Sequence, residues 1–461
     1  MKKLHDKYGP VVRIGPNLVD LDYPELIKTI YSTDERWRKV GSMLPGPYPT
    51  EFYHNNSVMM PNGQIVYNVF STTDPAEHSR MQRPIAKHFS SSGVLALEPL
   101  TDRSIQQLCD SLESRFGGSG STKGEPCDLG EWLAYCTWDL ITSITFSHPY
   151  GYMEKGFDFD STIANLDKTI DYFSAVGQMP FLDFLLDKNP LYRIGPPNLA
   201  SVAGVALNSL GARMQGKDKD YNPSVPDLLQ HFIEAKTAHP DLVDDNTIFG
   251  YMMIPLLAGA DTTAITLRAV FYFLLRNPAA YRKLEEEVLA AGFPADTPVP
   301  YSAARALPYL EAVVREAMRL HPAVCMPLER YVPSTGLTLP DGSFIPPGAA
   351  VGINPYIVGR NAKLWGADAD AFRPERWLRA AGEAEPAYQD RLRAMKAAEL
   401  AFGAGARMCT GRHLALLEVY KITATLVRRF EMEPVDPERE WKVMGIWFAR
   451  QTGVECRLKR R

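Results

Sequence analysis

The stretch FGAGARMCTGR, residues 402–412, sets one cysteine among three glycines, directly before a long apolar helical pattern. Cys409 and His413 stand four apart and could share a metal on one helix face, but two ligands alone are a weak indication of zinc. Gly403 and Gly405 match the start of a dinucleotide-binding fingerprint, which also requires a third glycine where this loop has methionine. Neither pattern accounts for the whole loop.

Three other interpretations of Cys409 are a phosphatase-type loop, a buried apolar cysteine and a metal-ligating thiolate. The first requires arginine six positions further on, where the chain has Ala415. The second is common for a free cysteine but does not require so many glycines. The third fits best, because glycines let a backbone approach a flat macrocycle and N–H groups at a helix N-terminus stabilise a thiolate. Arg407 is placed to neutralise a propionate, so the loop predicts a thiolate ligand of haem iron.

The loop also carries a more specific pattern. Written F-x-x-G-x-R-x-C-x-G, it resembles the haem-binding signature of the cytochromes P-450. The resemblance implies that family's fold, mainly α with small β-sheets, in which a long central helix passes over the haem and the cysteine loop lies on the opposite face. It implies haem b as the cofactor and Cys409 as the ligand of its iron. The cofactor-binding residues that it implies in this loop are Phe402, Gly403, Gly405, Arg407, Cys409 and Gly411.

The composition is that of a globular chain, with 45% hydrophobic and 23% charged residues. The formal net charge of −4 gives no indication of nucleic-acid binding. The six cysteines are scattered and form no CxxC pair, which argues against a disulfide framework or a zinc ribbon. The sequence has no uninterrupted apolar run of about 18 residues, so we expect a soluble or peripherally membrane-bound chain.

Periodicity and turn residues predict where the helices and strands lie. The longest helix is predicted from Asn246 to Arg276, and it should be central because it is apolar nearly all round. A second helix is predicted from Pro308 to Leu320, and residues 379–408 are predicted to be irregular. We expect one catalytic domain over residues 1–461, with these parts: a β-rich N-terminal part (about 1–70), a helical core (about 75–322), and the haem-binding loop with the last helix (about 395–430).

A second motif, REAMRLHP, places Glu316 and Arg319 three residues apart on one helix face. By itself such a pair is most often exposed and contributes little to stability. Under the resemblance, Glu-x-x-Arg corresponds to the family's buried charge pair, which is joined by an arginine from a downstream Pro-x-Arg. In this chain FRPERW supplies Arg376. The implied role of Glu316, Arg319 and Arg376 is structural, since a buried network would order the segment before the cysteine loop.

The motif AGADTT, residues 258–263, sets polar groups in the middle of the predicted apolar helix, which is costly unless they are used. One interpretation is a threonine that hydrogen-bonds back to its own helix. The other follows from the resemblance, in which this motif lies over the distal face of the haem. Thr262 would then hydrogen-bond to the oxygen being reduced, and Asp261 would supply protons through water. That is general-acid chemistry, and it makes Asp261 and Thr262 the predicted catalytic residues.

Members of the family often carry His-x-x-x-Arg early in the helical core, with both side chains on haem propionates. The segment DPAEHSRMQRPIAKHFS supplies His78, but Gln82 stands where the arginine is expected. Arg83 lies about 100° further round the helix. Arg330, in PLERYVP, matches another propionate contact of the family. The resemblance therefore implies His78 and Arg330 as cofactor-binding residues, and it leaves the other contact open between Gln82 and Arg83.

The signature motifs do not identify a substrate. A Met-rich apolar wall suits a hydrophobic small molecule such as a terpenoid, a polyketide or an aromatic metabolite, although the same residues could be core. By analogy with the family, the pocket residues are Phe52, Met59, Met253, Ala258, Val324, Met326, Trp447 and Phe448.

The segments HSRMQRPIA, YMEKGFDFD and AGADTT are similar to fungal microsomal members, such as the pisatin demethylase group of secondary metabolism. The resemblance implies a monooxygenase that takes electrons from NADPH through a separate NADPH–cytochrome P-450 reductase, with cytochrome b5 as a second candidate donor. The expected reactions are hydroxylation, epoxidation, dealkylation or coupling. The expected location is the cytosolic face of the endoplasmic reticulum membrane, through an N-terminal anchor that this chain lacks. Residues 179–197 would be either a bilayer contact or a core-facing helix and loop.

Two classes of function stay open at this point. The first is a monooxygenase that activates dioxygen. The second is a haem-thiolate protein that does not, either a rearranging enzyme or a haem-based binding protein. Asp261 and Thr262 favour the first class, because the second has no evident need for a distal proton relay. Arg412, His413 and Lys421 are candidates for a face that docks an electron donor.

Overall fold

The computed structural model describes residues 1–33, 36–40, 52–53, 56–59, 65–118, 124–179, 181–189, 191–196, 200–445 and 447–461. The α-helices in these ranges are α1 (Lys2–Tyr8), α2 (Ile27–Ile30), α3 (Pro75–Gln82), α4 (Ser91–Leu95), α5 (Glu98–Phe116), α6 (Leu129–Phe146), α7 (Tyr152–Lys155), α8 (Thr162–Val176), α9 (Phe181–Leu186), α10 (Ala200–Met214), α11 (Leu228–Ala238), α12 (Asp245–Arg276), α13 (Pro278–Ala290), α14 (Tyr301–Arg305), α15 (Pro308–Leu320), α16 (Pro355–Val358), α17 (Ala362–Trp365), α18 (Glu385–Ala397) and α19 (Arg412–Arg429). Short 3-10 helices span Pro24–Leu26, Ala86–Phe89, Pro374–Trp377 and Gly405–Arg407.

The strands are short and form small sheets. In the described ranges they are β1 (Val11–Arg13), β2 (Leu18–Leu21), β3 (Val58–Met59), β4 (Ile65–Val66), β5 (Gly117–Gly118), β6 (Pro126–Asp128), β7 (Arg330–Tyr331), β8 (Leu337–Thr338), β9 (Phe344–Ile345), β10 (Ala350–Gly352), β11 (Phe430–Pro434), β12 (Lys442–Met444), β13 (Arg450–Thr452) and β14 (Glu455–Arg460). One sheet has the order β1-β2-β10-β7, in which β2 and β10 are parallel and the other pairs antiparallel. This sheet brings the N-terminal residues to the segment that contains Arg330.

Helix α12 runs through the middle of the molecule. Its N-cap is Asp244, whose side chain accepts a hydrogen bond of 2.8 Å from the N–H of Thr247, and Asn277 ends it. It packs most extensively against α6, and a Cβ at Gly259 would lie only 2.8 Å from Ile141 Cδ1 on that helix. Within the described residues α12 is also the one helix long and apolar enough to cross a bilayer, but much of it is buried in the core.

The main helix predictions are confirmed. Helix α12 begins one residue before the predicted start, and α15 has the predicted bounds, with Pro308 in its first turn and His321 after its last. The prediction of irregular structure over residues 379–408 is wrong in part, because α18 occupies Glu385–Ala397. That helix buries only Met395, so its sequence shows almost no apolar periodicity.

Candidate functional site

The cysteine loop, residues 402–412, contains the 3-10 helix Gly405–Arg407 and leads into α19. The N–H of Cys409 donates to the carbonyl of Phe402 at 2.8 Å, which closes the loop. Gly405 has φ +65°, and a Cβ there would lie 1.7 Å from the carbonyl oxygen of Tyr31. This glycine is therefore required by contact with the N-terminal backbone and by its left-handed conformation. Gly403 is also left-handed, with φ +67°, but has more space.

The Cys409 side chain combines two properties that seldom occur together. Protein atoms surround it and raise the pKa of its thiol through desolvation, yet the residue is exposed. A side chain in the wall of an internal cavity has both properties, because protein atoms surround it on most sides while one side faces the cavity. The backbone N–H groups of Gly411 and Arg412, at the start of α19, donate hydrogen bonds toward the sulfur and act to lower its pKa. Donors in this position stabilise a thiolate.

One face of α12 is open at AGADTT. Ala258 is exposed and Thr262, one turn later, is half-buried, although Leu256 and Ala260 are buried. An open face in the middle of a central helix indicates an internal space next to it. The hydroxyl of Thr262 donates to the carbonyl of Ala258 at 2.8 Å, so the structure shows the conformation in which this threonine bonds to its own helix.

Asp261 points away from that open face. It is buried against α6, where its Oδ1 accepts a hydrogen bond of 3.3 Å from the indole N–H of Trp138. Burial, and then the charge of Asp167, raise its pKa to about 7, while Arg268 and Arg450 act in the opposite direction. The structure therefore does not bring the two polar groups of Asp261 and Thr262 together, although the residues are neighbours in sequence.

Basic side chains gather on one side of the cysteine loop. His78 on α3 is buried, and burial together with the charges of Arg407 and Lys39 lowers its pKa to about 4. Burial, and then the charge of Arg330, lower the pKa of Arg407 to about 10. Arg407 donates to the carbonyls of Thr72 at 3.0 Å and Asp74 at 3.2 Å. We call His78, Arg330, Arg407 and Lys39 the basic cluster; of its members, Lys39 is the one that the sequence motifs do not indicate.

Gln82 and Arg83 are the two candidates for the propionate contact that the family places after His78. Neither of them belongs to the basic cluster. The Gln82 side chain donates to the hydroxyl of Thr410 at 3.1 Å, which ties α3 to the residue after Cys409. Arg83 is exposed. Gln82 thus supports the loop rather than adding a charge.

The arrangement fits haem on observations of this structure. An exposed thiol with N–H donors suits an iron ligand, and the open face of α12 offers space for a flat cofactor. The basic cluster suits two propionates, since neighbouring positive charges lower the pKa values of His78, Arg407 and Lys39, and an anionic group between them would relieve this repulsion. Cys409, Arg407, His78 and Arg330 are the residues that could hold the cofactor.

The structure brings Glu316, Arg319 and Arg376 together in one buried network. Both oxygens of the buried Glu316 accept from Arg319, at 2.7 and 2.8 Å, and Oε1 also accepts from Arg376 at 2.7 Å. Two further donors, the Trp377 indole at 2.9 Å and the Arg373 backbone N–H at 3.0 Å, bind the same carboxylate. The network thereby fixes the segment around the 3-10 helix Pro374–Trp377 against α15.

The predicted pocket residues divide into two groups. Ala258 is exposed, and Met253 and Val324 are half-buried. Phe52, Met326, Trp447 and Phe448 are buried, with the Phe52 and Trp447 ring centroids 4.6 Å apart and Phe448 paired with Val324 in a β-bridge. Met59 lies in β3, but its side chain falls outside the described part of the structure.

Two surface predictions have different outcomes. The segment after α8 is strongly exposed: the exposed fractions are 59% for Phe181, 94% for Leu191 and 64% for Ile194. The interpretation as a core-facing helix and loop is therefore wrong for these side chains.

Lys421 is fully buried and pairs with Glu98 and with Asp102 at 2.7 Å, so it is not part of a docking face.

Comparison with known proteins gives consistent matches along the chain. The family model for cytochrome P-450 matches residues 1–448. The chain is 45% identical to the cytochrome P-450 monooxygenase cfoH of Aspergillus candidus, over 99% of this chain and 82% of the relative. It is 35% identical to the cytochrome P-450 monooxygenase pkfB of Emericella nidulans, over 100% of this chain and 86% of the relative. The monooxygenase mpaDE of Penicillium roqueforti is 33% identical, and the match covers 52% of that longer protein.

Proposed function

This chain belongs to the cytochrome P-450 family and is a monooxygenase of the kind found in fungi, and we propose that it binds haem b through Cys409 and oxidises a hydrophobic small molecule with dioxygen and electrons from NADPH. We further propose that residues 1–461 act as one catalytic domain. One hydrophobic cluster that includes both Phe52 and Leu458 supports this.

The observation that carries the proposal is the state of Cys409. Cys409 is an exposed residue although protein atoms surround its thiol, and the N–H groups of Gly411 and Arg412 donate hydrogen bonds toward the sulfur. When bound, haem supplies the electron-transfer and oxygen chemistry, and a thiolate ligand favours cleavage of the O–O bond. The chain holds the sulfur in place, and the basic cluster provides the opposite charge for the propionates.

Thr262 and Asp261 take different parts in proton delivery under this proposal. The Thr262 side chain is partly exposed beside Ala258, and its hydroxyl donates to the Ala258 carbonyl at 2.8 Å, so it would deliver a proton after turning from that carbonyl toward bound dioxygen. Asp261, with a pKa raised to about 7, exchanges protons readily near neutral pH. Because its carboxyl faces Trp138, the transfer to Thr262 requires the carboxyl to rotate or water to enter between them.

The substrate that we propose is a lipophilic secondary metabolite such as a terpenoid, a polyketide or an aromatic compound, and the reaction is hydroxylation, epoxidation, dealkylation or coupling. The support is that the apolar residues Met253, Ala258 and Val324 are exposed or half-buried, and that the Phe52 and Trp447 rings pack with their centroids 4.6 Å apart. Binding to apolar side chains of this kind depends on shape and apolar area.

The electron donor that we propose is a separate NADPH–cytochrome P-450 reductase, with cytochrome b5 as a second candidate. The site of action is the cytosolic face of the endoplasmic reticulum membrane. The exposed apolar side chains Phe181, Leu185, Leu191, Tyr192 and Ile194 support a membrane contact, because an apolar surface of this kind is costly in water and stable in a bilayer interface.

The test compares two threonines of α12 in the reductase-coupled enzyme. Thr262→Ala should raise the amount of hydrogen peroxide released per NADPH consumed, because the variant lacks the hydroxyl that supplies the proton. Thr266 also donates to its own helix, at 2.9 Å to the Thr262 carbonyl, but is buried, so Thr266→Ala should leave this ratio unchanged. Equal peroxide release from wild type and Thr262→Ala would contradict the proton-delivery role, whereas a haem-loaded wild type that consumes no dioxygen with NADPH would favour a haem-thiolate protein that does not activate dioxygen.

A further inference from the structure

Trp138 lies behind the central helix, on the side of α12 that faces away from its open face. The side chain is fully buried on α6, and its indole N–H donates to Oδ1 of Asp261 at 3.3 Å. Asp261 precedes Thr262, whose side chain borders the open face. A helix with its side chains is about 10–12 Å wide, and a single electron tunnels over a distance of this order. Trp138 is therefore a one-electron donor within reach of a cofactor on the open face.

A series of aromatic rings leads from Trp138 toward the surface. The centroid of its ring lies 6.0 Å from that of Tyr152 and 6.4 Å from that of Tyr150. The two tyrosine rings stack, with centroids 4.9 Å apart and planes 8° from parallel. Tyr152 is buried and Tyr150 half-buried, and Phe159 beside them is 40% exposed. Because tryptophan and tyrosine lose single electrons more readily than phenylalanine, these contacts form a path for electrons from α12 to the surface.

The two phenols share one proton acceptor, the carboxylate of Asp160. The hydroxyl of Tyr150 donates to Oδ2 at 2.6 Å, and that of Tyr152 donates to Oδ1 at 2.9 Å. Burial acts to raise the pKa of Asp160, but the hydrogen bonds from Thr162 and the two phenols outweigh it and lower that pKa. Loss of an electron makes a phenol strongly acidic. A carboxylate within hydrogen-bond reach can therefore take the proton as the electron leaves.

The segment that carries the tyrosine pair is fixed to the helix that carries Trp138. The carboxylate of Asp139, the next residue on α6, accepts hydrogen bonds from three consecutive backbone N–H groups. The donors are Gly151 at 2.7 Å, Tyr152 at 3.0 Å and Met153 at 2.9 Å. Charge-assisted hydrogen bonds of this kind are short and strong. They hold the distances between the three rings constant.

We propose that Trp138, Tyr152 and Tyr150 form an electron-transfer chain that protects this enzyme by carrying oxidising equivalents from the haem site to the surface when no substrate is oxidised. This inference rests on the proposed haem site. Each step moves one electron inward: Trp138 gives one to the haem site, Tyr152 restores Trp138, and Tyr150 restores Tyr152. Asp160 takes the proton of whichever phenol is oxidised and returns it when that phenol is restored.

The electrons and protons balance with hydrogen peroxide as the oxidant and ascorbate as the reductant. One peroxide takes up two electrons and two protons and gives two waters. Two ascorbates each supply one electron and one proton to Tyr150 at the surface, and each becomes an ascorbyl radical. The rings of the chain return to their starting state.

The experiment mixes substrate-free holoprotein with hydrogen peroxide. It measures the tyrosyl radical by freeze-quench electron paramagnetic resonance and the rate of haem bleaching at the Soret band. Wild type should show a tyrosyl signal that ascorbate removes. The double variant Tyr150→Phe/Tyr152→Phe keeps both rings but lacks the phenols, so it should lose most of this signal and bleach faster. Tyr172 and Tyr309 also donate to carboxylates, both at 2.9 Å, but have no ring contact with Trp138 among the described residues. The control Tyr172→Phe/Tyr309→Phe should therefore behave like wild type.

Each outcome decides the matter. If Tyr150→Phe/Tyr152→Phe keeps the tyrosyl signal, or bleaches no faster than the control, the chain does not carry the oxidising equivalents and the inference falls. If this double variant yields no holoprotein, Asp160→Asn takes its place. That variant keeps both phenols and lacks the base, so its signal should be weaker, and an unchanged signal contradicts the inference. A wild-type protein that binds no haem would overturn the proposed function together with this inference, whereas a haem-loaded wild type without a tyrosyl signal overturns the inference alone.

Discussion

The indole of Trp138 holds the carboxyl of Asp261 between α6 and α12, with Nε1 of Trp138 3.3 Å from Oδ1 of Asp261. The second carboxyl oxygen, Oδ2, is buried and has no hydrogen-bond partner among the described residues. A buried carboxyl in this state favours its neutral form. Burial raises the pKa of Asp261 to about 7 although the Trp138 hydrogen bond acts to lower it, so this acidic residue of the central helix gains and loses a proton near neutral pH.

The first prediction concerns the pH dependence of stability. Burial raises the pKa of Asp261 from 3.8 to about 7, so between these values the folded protein keeps a proton that the unfolded chain has released. The stabilisation is therefore complete at low pH and is lost as the pH rises through the folded pKa. At about 1.4 kcal/mol per pKa unit, the free energy of unfolding of the wild type should fall by up to ~4 kcal/mol relative to Asp261→Asn across this window. Urea unfolding of both proteins at a series of pH values measures this, and a difference that does not vary with pH would show the assignment to be wrong.

The second prediction concerns the charge network. Glu316→Gln leaves Arg319 and Arg376 buried without a carboxylate, which should cost about 3–5 kcal/mol of stability and reduce the yield of haem-loaded protein. Glu311 lies on the same helix and pairs with Arg315 at 2.8 Å, but it is partly exposed. Glu311→Gln should therefore cost about 1 kcal/mol or less. Denaturant unfolding of the two variants gives the comparison, and equal losses would argue against a special role for Glu316.

The third prediction concerns Gly405. A methyl group at this position would meet the Tyr31 carbonyl at 1.7 Å in a left-handed backbone, so Gly405→Ala should prevent the cysteine loop from packing against the N-terminal part. We expect little or no holoprotein. Gly211 in α10 has open space at its Cβ, and Gly211→Ala should be neutral or stabilising by up to about 1 kcal/mol. Absorbance at the Soret band per mole of purified protein checks this, and normal haem content in Gly405→Ala would contradict it.

The fourth prediction concerns membrane contact. Replacement of Leu191 and Ile194 by serine removes two of the most exposed apolar side chains of the segment after α8 and should weaken sedimentation with phosphatidylcholine vesicles. Leu289 on α13 is an exposed apolar residue of a different region, so Leu289→Ser serves as the control and should sediment like wild type. If both variants sediment equally, the exposed segment is not a bilayer contact.

The sequence predicts some parts of this site well, for physical reasons that differ between residues. Helix α15 is bounded by Pro308 and by His321-Pro322, which are strong local signals, and its Glu316–Arg319 spacing follows from the helical period. The direction of Asp261 could not be predicted, because it depends on Trp138 from another helix. The sequence does not indicate Lys39, because its position follows from a β-bridge to Arg330, which is distant in sequence. Helix α18 gives no clear helical signal in the sequence because its faces are almost all polar.

The most direct test of the central claim is the absorbance spectrum of the reduced, carbon monoxide-bound protein. Wild type and Cys325→Ser should both show the red-shifted Soret band of a thiolate-ligated haem, since Cys325 is a half-buried cysteine whose Sγ donates to the Pro322 carbonyl. Cys409→Ser should lack that band even when it retains haem. The presence of the band in Cys409→Ser, or its absence from haem-loaded wild type, would contradict the assignment of Cys409 as the iron ligand.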